Sequence, residues 1–318
     1  MKVAITDWTF PDLSIERGIL ETLDDCTVVD GQCKTPESLI ELTADADYVI
    51  TQFAPVNADV VNAMQRAKII VRYGVGFDNV DCNAARAKGI PVCNIPEYCI
   101  DEVADHTLAF ILSSTRQLRS NCTKIVGGSW GLAVPIDRMR ALRDQTVGII
   151  GLGRIGYAVA QRLQPFRCQL LVSDPVVSAD VVESVGARSV SVDELLGQSD
   201  IVTLHCPSTP ATRKMISEQA LQQMKAGSVL INVGRGDLVD LNALTDALQS
   251  GHLAAAALDV FEQEPIPADH PILPMQNVIA TSHIASASPT AGRTLRETAA
   301  RLVVMASRGE ELPHVVNP

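Results

Sequence analysis

The stretch TVGIIGLGRIGYAVAQRLQ (146–164) decides the fold. An apolar run, 146–150, meets Gly151-Leu152-Gly153-Arg154-Ile155-Gly156, and a helix-like segment follows. The glycines fit G-x-G-x-x-G in the strand–turn–helix context that gives the pattern meaning. Gly151 permits the tight turn, Gly153 lets the backbone approach a pyrophosphate, and Gly156 lets the helix pack on the strand. The helix N-terminus offers free N–H groups and partial positive charge to phosphates. A second strand ends at Asp174, 18 positions after Gly156. A carboxylate there accepts hydrogen bonds from an adenosine ribose and repels a 2′-phosphate. Pro175-Val176-Val177 supplies no cation, so NAD is expected rather than NADP.

Outward from this stretch the chain alternates short apolar runs with helical spacing. Strands are expected at 2–6, 26–30, 47–51, 68–74 and 90–95, with helices at 14–23, 37–45, 58–67 and 83–89 between them. One long helix is expected over 101–126, ending at Gly127-Gly128. The second series has strands at 146–150, 169–174, 200–205, 228–233, 253–260 and 277–283, and a final helix at 290–307. Apolar strands separated by helices predict an α/β protein with parallel sheets covered on both faces. A length of 318 residues suits two domains.

Composition excludes several classes. The net charge of −11 comes without a basic run, and aromatics are only 4%. Neither nucleic acid nor an anionic membrane is expected as partner. No stretch approaches a membrane span, and Asp7 interrupts the N-terminus too early for a signal-peptide apolar region. None of the eight cysteines forms a C-x-x-C pair. No metal site is expected, and a reducing, cytoplasmic setting is.

Three consecutive strands of the second series end in ionisable groups. Arg235 follows 228–233, in INVGRGDLVD (231–240). Glu264 follows 253–260, and His283 closes 277–283. Ligands of open parallel sheets bind at the strands' carboxyl ends. Beside a nicotinamide, a histidine supplies the proton that a carbonyl oxygen needs once hydride reaches the carbon. A glutamate would stabilise the imidazolium. The planar fork of an arginine would hold a carboxylate and polarise the adjacent keto oxygen. The set describes a 2-keto acid and its 2-hydroxy acid. Gly234 and Gly236 are expected to let the backbone turn at the strand end. His205 also ends a strand and is a rival to His283. Glu262 competes with Glu264, and the Glu-Pro dipeptide favours Glu264. Arg72 is either a core-edge residue or a substrate contact. Phe53 either walls the substrate or simply packs.

RYGVGFDNVD (72–81), GIIGLGRIG (148–156), LHCPSTPATR (204–213), INVGRGDLVD, ALDVFEQEP (257–265) and SHIA (282–285) together resemble the D-isomer-specific 2-hydroxyacid dehydrogenase family over almost the whole chain. The resemblance implies two Rossmann-like or flavodoxin-like doubly wound domains, with a cofactor domain (100–284) inserted into a substrate domain (1–99 and 285–318). It gives Arg235, Glu264 and His283 the roles argued above. It assigns Val75 and Gly76 of a glycine loop to the substrate carboxylate. Asp259 would meet the nicotinamide carboxamide. The cofactor surface would include Val103, Thr107, Arg154, Ile155, His205, Pro207, Thr212, Val233 and Gly234. A homodimer through the cofactor domain is implied. Glyoxylate or hydroxypyruvate are the first substrates expected, with 3-phosphoglycerate as rival. Formate dehydrogenases pair the histidine with glutamine, which Glu264 argues against. An NAD-responsive corepressor-like binding role is the alternative from another class. In one departure, Gly234 stands where the family usually has alanine before the arginine.

Overall fold

The computed structural model describes all 318 residues. They divide into two compact units: Met1–Cys99 with Ala287–Pro318, and Ile100–Ser286. The continuous unit is thus inserted into the discontinuous one. The sequence-derived boundary lay at 284/285, and the chain divides here after Ser286.

The first domain contains β1 (Lys2–Ile5), α1 (Ser14–Leu20), β2 (Thr27–Asp30), α2 (Pro36–Thr43), β3 (Tyr48–Thr51), α3 (Ala58–Ala63), β4 (Ile70–Arg72), α4 (Cys82–Ala87) and β5 (Val92–Cys93). The second contains α5 (Ile100–Thr115), α6 (Leu118–Val126), β6 (Thr146–Ile150), α7 (Arg154–Leu163), β7 (Gln169–Ser173), α8 (Ala179–Ser184), β8 (Ala187–Ser189), α9 (Val192–Gln198), β9 (Ile201–Leu204), α10 (Glu218–Gln223), β10 (Ser228–Asn232), α11 (Leu241–Gln249), β11 (Leu253–Leu258) and β12 (Val278–Ala280). The chain then returns to the first domain as α12 (Pro289–Arg308).

Both sheets are wholly parallel. The first runs β2-β1-β3-β4-β5. Strand alternation explains its two cores. Val3, Ile5, Tyr48, Ile50 and Val71 face α1 and α12 residues such as Leu20, Leu295 and Val303. Ala4, Val49, Ile70 and Val92 face Leu39, Val60 and Met64. The second sheet runs β12-β11-β10-β9-β6-β7-β8. Its strand order reverses between β6 and β9, so their carboxyl ends flank a switch point, where open α/β sheets bind ligands.

Three expectations change. The single helix over 101–126 is two helices. Gln117 between them is left-handed (φ 53°). Just upstream, the Thr115 hydroxyl donates back to Ile111 O (2.9 Å), and Gln117 Nε2 donates to Ser114 O (3.0 Å). Such local bonds satisfy carbonyls that a continuing helix would use. The second sheet also gains β8, whose Arg188 and Ser189 are exposed and give no apolar signal. Expected strands 68–74 and 90–95 shrink to three and two paired residues.

Candidate active site

The second domain gathers Arg235, Glu264 and His283 on loops beyond adjacent strands β10, β11 and β12. His283 Nδ1 meets Glu264 Oε2 at 2.7 Å, and Glu264 Oε1 accepts Phe261 N–H at 2.9 Å. Burial by itself would raise the Glu264 carboxyl. The His283 hydrogen bond and charge, the Phe261 amide and the Arg235 charge outweigh it, so Glu264 titrates below the usual carboxylate range. Glu262 is committed elsewhere, to Lys214 Nζ at 2.9 Å.

The His283 backbone is left-handed (φ 57°), an uncommon state for a residue with a Cβ. Asp259 holds it there. Its Oδ1 accepts the Thr281 hydroxyl (2.5 Å) and Ile284 N–H (2.9 Å), and its Oδ2 accepts Ala285 N–H (2.8 Å). Its carbonyl accepts His283 N–H (2.7 Å). Asp259 is buried, and in the chain itself it works as the pin of the histidine turn.

Arg235 sits in a loop clamped by Asn232, a buried residue that ends β10. The Asn232 side chain accepts from Gly234 N–H (3.0 Å) and donates to Arg235 O (2.8 Å). The backbone bends at Gly234 and opens a short 3-10 turn at Gly236, neither with a positive φ. Gly236 is needed for a close approach: a Cβ there would lie 1.9 Å from the Phe261 carbonyl carbon. The arginine loop therefore packs onto the backbone that also holds Glu264. A Cβ on Gly234 would meet Leu238 Cδ1 at 3.3 Å and carbonyl oxygens at 3.4 and 3.5 Å, a tight but yielding fit.

His205 is a different kind of histidine. Burial pushes its imidazole down to about 3, and its Nε2 lies 2.9 Å from the Thr203 hydroxyl. Burial thus favours the neutral imidazole at His205, and no carboxylate partners it as Glu264 partners His283.

At the switch point, Gly151 and Gly156 are required by the chain itself. Gly151 has φ 93° with Cys206 N 2.7 Å from a would-be Cβ, and a Cβ on Gly156 would lie 2.1 Å from Gly151 O. Gly153 has ordinary φ (−69°) and nothing within 4 Å. No neighbour in the chain demands a glycine there. Helices α2, α3, α4, α9, α10, α11 and α12 are capped by side chains; α1, α6, α7 and α8 are not, and at α7 the N-cap is Gly153. Asp174 accepts Leu152 N–H (2.7 Å), Val176 N–H (2.8 Å) and Val177 N–H (3.0 Å). Burial would raise its carboxyl, but these three amides hold it below the ordinary value.

The other expected cofactor residues differ in placement. Arg154, Ile155, Pro207 and Thr212 keep accessible surface. The Thr212 hydroxyl donates to Pro207 O (2.6 Å) and ties that turn together. Val233 is nearly buried, and Val103 and Thr107 are buried in α5, where the Thr107 hydroxyl bonds Val103 O (2.7 Å).

The first domain carries its own loop, after β4. Gly74 has φ 142°, and a Cβ on it would lie 1.6 Å from Arg72 Nη1. Arg72 folds back, donating to Tyr73 O (2.9 Å), with its guanidinium carbon 5.7 Å from the Phe53 ring centroid. The next carbonyls are also tied: Gly74 O accepts Ile95 N–H (2.9 Å) and Val75 O accepts Asn94 Nδ2 (2.6 Å). The Val75 and Gly76 N–H groups donate to no acceptor in the chain. Two consecutive N–H groups without an acceptor in the chain can receive an anion. Phe53 is 46% exposed, on a turn held by Asp7, which accepts Gln52, Phe53 and Ala54 N–H groups (2.9, 2.6 and 3.1 Å).

The profile of the D-isomer specific 2-hydroxyacid dehydrogenase, NAD binding domain, matches residues 108–285. The chain is 37% identical to a glyoxylate reductase of Korarchaeum cryptofilum, over 88% of this chain and 85% of that protein. The chain belongs to the D-isomer-specific 2-hydroxyacid dehydrogenase family. It is 36% identical, over its whole length, to a D-3-phosphoglycerate dehydrogenase of Methanocaldococcus jannaschii, of which it spans only 59%. A D-lactate dehydrogenase from Aquifex aeolicus, solved with NAD and lactic acid, superposes with a TM-score of 0.88 at 30% identity, covering 97% of this chain and 96% of that one.

The three glycines are of two kinds. The chain itself demands Gly151 and Gly156, while Gly153 leaves the start of α7 open to a pyrophosphate. The residues present therefore fit NAD as the dehydrogenase cofactor. Asn232 and Asp7 escaped the sequence reading. Each is a single polar residue beside an apolar run, and only that contrast could have marked them.

Proposed function

We propose that the protein is an NAD-dependent reductase of a small 2-keto acid, with glyoxylate or hydroxypyruvate as substrate. The contact between His283 Nδ1 and Glu264 Oε2, at 2.7 Å beside Arg235, carries this reading. NADH, when bound, supplies the hydride. The glycine loop and the start of α7 hold its pyrophosphate, and Asp174 takes the adenosine ribose. His283 gives the proton from Nε2 to the carbonyl oxygen, while Glu264 fixes the tautomer and stabilises the imidazolium. Arg235 draws charge onto the keto oxygen and holds the carboxylate. In the first domain, the paired amides of Val75 and Gly76 suit a carboxylate as well. The sum is keto acid plus NADH plus a proton giving the 2-hydroxy acid and NAD+: glycolate from glyoxylate, D-glycerate from hydroxypyruvate.

The turn after β3, Gln52-Phe53-Ala54, has no cation of its own, and the Arg72 guanidinium beside it bonds Tyr73 O; the likeness to a glyoxylate reductase supports the short keto acids. A panel of glyoxylate, hydroxypyruvate, pyruvate and 3-phosphohydroxypyruvate, each with NADH and NADPH, tests this. Turnover of the first two with NADH is expected. A preference for the phosphorylated acid would reassign the substrate. No turnover on any, with stoichiometric peptide capture, would favour the corepressor-like role.

The protein forms a homodimer through the arm at 118–138. No residue of α6 is buried, and Val126, Trp130 and Ile136 are 88, 92 and 78% exposed. A cluster of this kind on a folded chain marks an interface. No helix is long and apolar enough to cross a membrane, and all eight cysteines are free, which supports a cytoplasmic setting.

A further inference from the structure

In the first domain a buried ionic cluster lies directly behind the 74–76 loop. Glu16 comes from α1, Arg296 from α12, and Tyr73 is the residue after β4. All three are nearly inaccessible. Glu16 Oε1 accepts the Tyr73 hydroxyl (3.0 Å) and Arg296 Nε (2.8 Å), and Oε2 accepts Arg296 Nη2 (2.7 Å). Arg296 Nη2 also donates to Asp12 O (2.7 Å) and to its carboxylate (3.2 Å). The Phe10 ring covers the cluster. Its centroid lies 5.1 Å from the Arg296 guanidinium carbon and 5.4 Å from the Tyr73 ring, edge to face.

Stability alone is a weak reason for such a cluster. A buried ion pair is commonly no more stabilising than well-packed apolar side chains of the same volume. What the cluster does supply is direction. The two oxygens of Glu16 are held by the arginine fork, so the Tyr73 hydroxyl has one position to occupy. Tyr73 N–H donates to Thr51 O (2.8 Å), and Tyr73 O accepts Arg72 Nη1. The residue that starts the glycine loop is thereby held by backbone on both sides and by its side chain behind.

We propose that the Glu16–Arg296 pair is a positioning device that clamps Tyr73 and so aims the Val75 and Gly76 amides at the substrate carboxylate. The proposal rests on the reading of those amides given above. Tyr73, Glu16 and Arg296 touch no substrate atom in it; they act through the loop.

The test is the dissociation constant of oxamate, a non-reducible keto-acid analogue, titrated into the full-length protein saturated with NADH. Tyr73→Phe keeps the ring and removes only the clamped hydroxyl. It is expected to weaken oxamate about three- to tenfold, the scale of one ordinary hydrogen bond lost. The NADH dissociation constant should not move, because the nucleotide loop belongs to the other domain. Arg296→Lys keeps a cation beside Glu16 but loses the fork. It should act in the same direction, and it serves if Tyr73→Phe does not fold. Val75→Pro, which deletes one amide donor, separates the two claims. If it weakens oxamate while Tyr73→Phe lowers only Tm, the clamp is structural and the proposal fails, with the loop reading intact. If Val75→Pro leaves oxamate binding unchanged, the loop reading falls and the clamp with it.

Discussion

At the scale of single residues, the site depends on where a Cβ can stand. Gly234 and Gly236 flank the same arginine, yet they are opposites. A methyl group at Gly234 meets the end of a flexible leucine, whereas one at Gly236 meets the Phe261 backbone at 1.9 Å. Gly234→Ala is expected to move Tm by no more than a few degrees and to leave kcat within about twofold of the parent, since a compatible Gly→Ala change also restricts the unfolded chain. Gly236→Ala forces two backbones apart. It should cost about 1–3 kcal/mol or more and cut kcat/KM severely, because Arg235 and Glu264 share that packing. Equal behaviour of the two variants in melting and steady-state assays would contradict this. The departure from the family's usual alanine thus falls at the position with room for either residue.

At the scale of elements, the β6–α7 turn links sequence, electrostatics and stability. Asp174 fastens the turn through Leu152 N–H and fastens its own loop through Val176 and Val177. Its carboxyl is lowered from the ordinary 3.8 by those amides, against burial. A depressed folded-state value means that the stabilisation is present above the unfolded pKa and is lost as pH falls through the folded one. Asp174→Asn should therefore lower Tm at neutral pH and weaken NADH. The Tm gap should begin to close below about pH 4. A gap independent of pH would show that the charge does not matter there.

The β/α alternation is legible in the sequence because buried parallel strands are apolar runs. Asp174 and the glycines are legible because their spacing is mechanical. The break at Gln117 is not, since Ser113, Ser114 and Thr115 are tolerated in helices and only their backbone bonding ends this one. The same holds for β8, a strand of three residues with one apolar member. Arg235, Glu264 and His283 could be picked out because each closes an apolar run with an ionisable group. Asn232, Asp7 and the pinning function of Asp259 became visible only when their hydrogen bonds did. A lone buried polar residue has no periodic signature.

At the scale of the whole molecule, the chain builds two parallel sheets from one crossover rule and gives them different tasks. The inserted domain carries the glycine turn and the His283–Glu264 pair, while the discontinuous domain carries the 74–76 loop backed by a buried ionic cluster. The two ends of the chain meet inside the latter, where Glu16 pairs with Arg296. The exposed arm of the inserted domain adds a quaternary expectation. The double variant Val126→Asp, Trp130→Ala should sediment as a monomer where the parent sediments as a dimer. A parent that is monomeric at micromolar concentration would remove the interface.

The central claim is that His283, set by Glu264, is the proton donor in a hydride transfer for which NADH binds independently. The most direct measurement is the single-turnover rate of glyoxylate reduction by His283→Ala, read beside its NADH affinity. A loss of about a hundredfold or more in rate is expected, with the NADH dissociation constant unchanged. Turnover equal to that of the parent, or a defect confined to NADH binding, would contradict it.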